Sequence, residues 1–212
     1  MDRPVFIDRL KSRLASEQAP FANHLRPPMA PPDAGDDRGR MDLFLTRLGE
    51  LGVRVRVATL SEARAEVERL MDEREWASVA CSSEVGWAGI ADRRTAEPRW
   101  APLGLDHAAL AVAETGSVLV GSQERSKRGY SLLPPTVGFF VPRDLIVGSL
   151  SEALRWISSL PDVPACLTFV TGPSTTADIA STHVVGAQGP GEVLVWIISN
   201  GGDRNRRPTT ER

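Results

Sequence analysis

Short apolar runs, each about one strand long, alternate with segments of helical period through most of this chain. That alternation restricts it to an α/β fold on a mostly parallel sheet flanked by helices. Val53-Arg54-Val55-Arg56-Val57 alternates strictly, which predicts a strand with one polar face. Before it, Met41, Phe44, Leu45, Leu48 and Leu51 share one helical face, and Gly52 stops the helix. After it, Thr59-x-x-Glu62 forms a capping box for a helix carrying Ala63, Val67, Leu70 and Met71. Further strands are expected over 76–81, 136–141, 165–170 and 193–199, and Ser149-x-x-Glu152 opens a helix through Leu150, Ala153, Leu154, Ile157 and Leu160. Two apolar runs, 108–114 and 117–122, flank Thr115-Gly116 and predict a hairpin, which makes the sheet mixed. The stretch 82–105 has weak periodicity and predicts a short helix and a loop.

The organisation expected is an N-terminal helix (Val5, Phe6, Leu10, Leu14) and a Pro-rich arm over 1–40, an α/β domain over 41–199, and a disordered Arg-containing tail over 200–212. A chain of 212 residues can bury a full core without staples. Its net charge of −2 gives no general attraction to nucleic acid or an anionic membrane. No apolar run of spanning length and no leader-like apolar region occurs, so a cytoplasmic protein is expected. Cys81 and Cys166 sit in apolar surroundings and read as buried packing residues, and the lack of C-x-x-C leaves no iron–sulfur or zinc-ribbon ligation. His24, His107 and His183 match no local metal spacing, so neither metal nor cofactor is expected.

The chemistry-bearing stretch is Thr171-Gly172-Pro173-Ser174-Thr175-Thr176-Ala177-Asp178-Ile179. It follows the strand over 165–170 and is expected to open a helix over 176–185. A helix start rich in hydroxyls suits a carboxylate or phosphate, but Thr175-x-x-Asp178 also fits an acidic capping box, and Asp178 suits the positive end of the helix dipole. Glu114, at the end of an apolar run, is a candidate base, nucleophile or polar anchor, or else an exposed turn residue. Thr115, Gly116 and Ser117 suit close approach of a ligand, or an ordinary tight turn. Arg125 and Arg128 are candidate anion clamps or solvated loop charges, and Gln188 and Gly189 belong to a turn-rich loop that either shapes the pocket or is an ordinary connecting loop. Ligands in such sheets sit beyond the carboxyl ends of the strands, and the tips at Gly116 and Pro173 are expected to line one crevice there. G-x-G-x-x-G, G-x-x-x-x-G-K-[ST] and G-x-S-x-G are all missing, which disfavours the familiar phosphate loops and the nucleophile elbow.

Four short motifs in this order resemble the LutC/YkgG family, whose shared unit is the LUD domain. They are Ala113-Glu114-Thr115-Gly116-Ser117, Ser131-Leu132-Leu133-Pro134, the Thr171–Ile179 stretch, and Gly186-Ala187-Gln188-Gly189-Pro190. The family often has Arg where Thr175 stands, His where Gln188 stands and an acid where Ala180 stands. The resemblance implies a fold like that of ribose-phosphate isomerases and CoA transferases (NagB/RpiA/CoA transferase-like). It also implies a part in L-lactate utilisation, among three proteins that oxidise lactate to pyruvate and of which the others carry iron–sulfur clusters. Two readings stand: a non-redox subunit that binds a small anion or its partners, or a stand-alone enzyme acting on a CoA thioester or phosphorylated sugar through Glu114.

Overall fold

The computed structural model describes residues 37–82, 96–122, 129–160, 164, 166–177, 183–185 and 189–199. All lie in one compact unit, Asp33–Arg212. The expected N-terminal helix and C-terminal tail fall outside the described residues, as do Arg125, Arg128, Asp178 and Gln188.

Helix α1 (Asp37–Glu50) starts inside the segment expected as an arm, with Asp37 in its first turn. It buries Met41, Phe44 and Leu48. Its end is a Schellman motif: Gly52 takes φ 70°, its N–H bonds to Gly49 O, and Val53 N–H bonds to Leu48 O. Val53 and Leu48 then share one core cluster, so the motif that stops the helix also aims β1 (Arg54–Ala58). Helix α2 (Leu60–Glu73) opens with the expected reciprocal capping box of Thr59 and Glu62.

The remaining strands are β2 (Val79–Cys81), β3 (Leu103–His107), β4 (Leu110–Val112), β5 (Ser117–Ser122), β6 (Thr136–Pro142), β7 (Ile146–Val147), β8 (Cys166–Val170), β9 (Thr175–Ala177), β10 (His183–Val185) and β11 (Glu192–Ile198), with α3 (Leu150–Ser159) between β7 and β8. Five strands form a parallel sheet in the order β1-β11-β6-β3-β2. Four more form a second sheet, β7-β4-β5-β8. One face of the parallel sheet meets α2 through Leu103, Leu105, Phe140, Leu194 and Trp196. The other meets α1 and the second sheet through Val137, Phe139, Val141, Val195 and Ile197. The outer face of the second sheet, Leu110, Val112 and Leu119, is covered by Ala153 of α3, with Trp156 and Ile157 alongside.

The α/β class with a mostly parallel, helix-flanked sheet is as expected, but several elements differ in place. The hairpin of β4 and β5 belongs to the second sheet, where β5 also pairs antiparallel with β8. Part of the stretch expected as helix and loop is β3, a strand inside the parallel sheet. Gly104 interrupts its apolar pattern because the Tyr130 carbonyl oxygen lies 2.0 Å from where a Cβ would stand. The helix expected over 176–185 is corrected to the antiparallel pair β9–β10. Thr175, Thr176, Val184 and Val185 are β-branched and favour extended backbone, which prevailed over the capping pattern.

Candidate functional site

The two expected loop tips do meet. β5 begins at Ser117 and β8 ends at Val170, and their antiparallel register sets Val118 opposite Val170. Ser117 Oγ lies 2.7 Å from Thr171 Oγ1 and 2.7 Å from Thr115 Oγ1. Ser117 is buried and Thr171 exposed. Each hydroxyl carries one proton. A row of three hydroxyls joined by two hydrogen bonds therefore keeps one proton for an outside acceptor. Thr171 was not among the ligand residues expected from sequence, although it heads the motif; what marks it is its position opposite Ser117 across a strand pair that sequence alone did not establish.

The glycines of both tips are turned toward α1. Gly116 has φ 66° and Gly172 φ 73°. A Cβ on Gly116 would stand 2.9 Å from Leu51 Cδ1 and 3.0 Å from Arg47 Cβ, and one on Gly172 would stand 3.1 Å from Leu51 Cβ. Leu51 thus packs against both tips, and Arg47 Nε donates to Glu114 O at 3.1 Å. The second tip is also tied to the loop before β11. Ser174 N–H donates to Pro190 O at 2.8 Å, and Gly189 sits against Ser174 Cβ. Thr175 Oγ1 donates to Pro173 O at 3.3 Å instead of capping a helix. Thr176 takes its place in β9 opposite Val184. Leu51 precedes β1 and Pro190 precedes β11, so these tips lie by the amino ends of the parallel strands. The crevice expected at the carboxyl ends is not where they meet.

Glu114 is held at three points. Its N–H donates to Gly148 O at 3.0 Å, its carbonyl accepts Arg47, and its Oε2 accepts Leu150 N–H at 3.0 Å. Leu150 is the first residue of α3. Ser149 Oγ accepts Glu152 N–H at that same helix start, and Glu152 Oε2 accepts Gly148 N–H. The N-terminus of α3 is thereby furnished with acceptors from this chain's own side chains.

Glu192, missed from sequence, opens β11 and gathers charges at the amino edge. It accepts Arg74 Nη2 at 2.9 Å and Thr136 Oγ1 at 3.1 Å, with Arg54 at 3.4 Å. Hydrogen bonding to Arg74 is the main cause that holds its carboxyl below the usual range. A cavity of about 130 Å³ between β1 and α2 is lined by Arg54, Arg56, Glu66, Arg69 and Glu73 over Trp196. Its guanidiniums face carboxylates: Arg56 to Glu66 at 3.1 Å and Arg69 to Glu73 at 3.7 Å.

At the carboxyl edge stand Cys81, Ser82, Asp106 and His107. Burial pushes the Cys81 thiol up to about 11, so it stays protonated at neutral pH and is a poor nucleophile. Asp106 is 8% exposed, and its Oδ1 accepts His107 N–H at 2.9 Å. Ser82 is 6% exposed, and its hydroxyl has no hydrogen-bond partner among the described residues. No group of three or more His, Cys, Asp or Glu able to hold a metal ion occurs among the described residues. No described helix is long and apolar enough to cross a membrane.

The LUD domain model matches residues 92–198. Lactate utilization protein C of Bacillus licheniformis is 35% identical over 117 residues, 53% of this chain and 49% of that protein. The protein of the same name from Geobacillus thermodenitrificans is 27% identical over 130 residues, 59% of this chain and 54% of that protein. That from Bacillus subtilis is 34% identical over 104 residues, 47% of this chain and 43% of that protein. The chain spans about half the length of these relatives. The crystal structure of a DUF162 family protein from Deinococcus radiodurans shares the fold, with a TM-score of 0.56 and 17% identity over 78% of this chain and 99% of that one.

Proposed function

This chain belongs to the LUD domain family, and from that membership we propose that it serves L-lactate utilisation in the cytoplasm, as a non-redox subunit beside iron–sulfur partner proteins that oxidise lactate to pyruvate. The observation that carries the reading is its likeness to several proteins named for lactate utilization. The chain's own chemistry fits a non-redox part, because two cysteines without a cluster spacing supply too few thiolates for an iron–sulfur centre.

The proposed ligand surface is the hydroxyl row of Thr115, Ser117 and Thr171 with the Gly172-Pro173-Ser174-Thr175-Thr176 turn, completed by Gly116, Arg125, Arg128, Asp178, Gln188 and Gly189. The one proton left on that row suits a carboxylate oxygen. In the alternative, a free-standing enzyme on a CoA thioester or sugar phosphate, Glu114 would be the acid/base or nucleophile. Its carboxylate is already hydrogen-bonded at the start of α3, which favours the first reading. The test is deletion of the coding sequence with complementation. Loss of growth on L-lactate, restored by the wild-type chain, together with copurification of an iron–sulfur protein, is the expected result. Unimpaired lactate growth after deletion would overturn the proposal.

A further inference from the structure

We propose that the cavity between β1 and α2 binds a small aliphatic monocarboxylate, its carboxylate held by Arg54 and Arg69 and its hydrocarbon end against Leu70, Leu194 and Trp196. The site goes beyond the lactate-utilisation reading and does not depend on it. β1 is the outermost strand of the parallel sheet, and its register sets Arg54 opposite Leu194, Val55 opposite Val195 and Arg56 opposite Trp196. Val55 and Val195 belong to the cluster that meets α1, so alternation turns Arg54, Arg56, Leu194 and Trp196 toward α2. The main chain at Val55 and Val195 then lies at the bottom of the cavity, and α2 closes it with Glu66, Arg69, Leu70 and Glu73. Toward the centre of the sheet the same face carries Leu103, Leu105 and Phe140, packed in one apolar cluster with α2. On β1 two arginines stand instead, and about 130 Å³ is left open.

Charges on an outer strand discourage pairing with another chain. That role needs neither a further cation across the cavity on α2 nor an apolar wall beside it. Arg54, Arg56 and Arg69 line the cavity with Glu66 and Glu73, which leaves one positive charge in excess. Glu66 is committed: it accepts Trp196 Nε1 at 3.2 Å and stands 3.1 Å from Arg56. Arg54 is less so. It reaches Glu192 at 3.4 Å, a carboxylate that already accepts both terminal nitrogens of Arg74 and the Thr136 hydroxyl. Arg69 stands 3.7 Å from Glu73, and both side chains are more than half exposed, so solvent weakens that pair. A guanidinium has five N–H donors, and each of these two keeps donors for a carboxylate. One negative charge cancels the excess. A phosphate dianion overshoots it beside Glu66 and Glu73, and a cation adds to it. Leu70, Leu194 and Trp196 are buried and offer apolar surface, which favours an organic acid over an inorganic anion.

The experiment is NMR titration of the isotope-labelled full chain with sodium propionate, read at the Trp196 indole N–H, whose signal is identified by its loss in Trp196→Phe. Sodium chloride, sodium phosphate and propylammonium chloride at matched ionic strength are the comparisons. Propionate is expected to move the Trp196 signal saturably, and the three comparison salts are not. Arg54→Gln and Arg69→Gln are each expected to weaken propionate by about tenfold, the equivalent of one hydrogen bond to a charged group. Both arginines are exposed, so the variants should fold, which their remaining indole signals check; if either does not, the other decides. The proposal is overturned if propionate moves the Trp196 signal no more than chloride does, if phosphate or propylammonium matches it, or if the folded variants keep the wild-type affinity. The comparison of salts on the wild type needs no variant, and none of these results bears on growth on lactate after deletion.

Discussion

Removing the Glu114 carboxylate should cost the stability of a helix cap, and the cost should depend on the acceptor rather than on a reacting acid. Oε2 accepts Leu150 N–H at 3.0 Å at the first residue of α3. Loss of such a cap costs about 1 kcal/mol, and loss of a negative charge at the positive end of a helix adds about 0.5 kcal/mol. Leu150 is exposed, so solvent screens the second contribution. Glu114→Ala should therefore lose about 1–1.5 kcal/mol, or about 2–6 °C in Tm for a chain of this size. Glu114→Gln keeps an oxygen acceptor of the same reach and should lose no more than about 0.5 kcal/mol, or about 1–2 °C. Both variants should be followed by thermal and urea unfolding and by complementation of lactate growth. A Gln variant that keeps its Tm yet fails to complement would show that the carboxylate does more than cap the helix, and would restore the catalytic reading. An Ala variant with an unchanged Tm would refute the capping account.

Stability should fall in acid through Glu192, whose carboxyl is held below its ordinary range chiefly by Arg74. A depressed folded value means that the contribution is complete above the unfolded carboxyl pKa and disappears as pH falls through the folded one. Glu192→Gln should flatten that acid limb of a urea-midpoint profile; an unchanged limb would contradict the assignment. Gly116→Ala should cost more than Gly52→Ala, although both need φ near 70°. The left-handed backbone costs each about 1–2 kcal/mol. Only Gly116 also meets Leu51 and Arg47, whereas nothing lies within 4 Å of a Cβ on Gly52; equal urea midpoints would discredit the packing at the tip. Gly104→Ala should be the most damaging of the three at about 3 kcal/mol, because the obstacle is the Tyr130 backbone oxygen. A Tm within experimental error of wild type would show that the 129–134 turn can move away.

The α1 stop at Gly52, the Thr59–Glu62 capping box and the Ser149 cap were legible from residues because each is a local device, complete within about six neighbours. The strand β3 was not legible, since its Gly104 is demanded by a turn some twenty-five residues later in the chain. The β9–β10 pair was misread because a capping pattern and β-branched residues made opposing local demands, and antiparallel pairing between Thr175–Ala177 and His183–Val185 settled them. At the candidate site, the Gly116 and Pro173 tips could be named from their motifs. Their meeting through Ser117 and Thr171, and Leu51 packing on both, depend on how β5, β8 and α1 assemble.

Hydrophobic period and terminal caps in the chain were enough to establish an α/β protein with strands, helices and the residues of two loop tips. Which strands share a sheet, which end of that sheet each tip reaches, and the hydrogen bond from the start of α3 to the Glu114 carboxylate were settled by the packed molecule. Those outcomes come from pairings between residues tens of positions apart, such as Val118 with Val170 and Glu114 with Leu150. Their energies exist only once the layers close on a shared core, so no window of local sequence carries them.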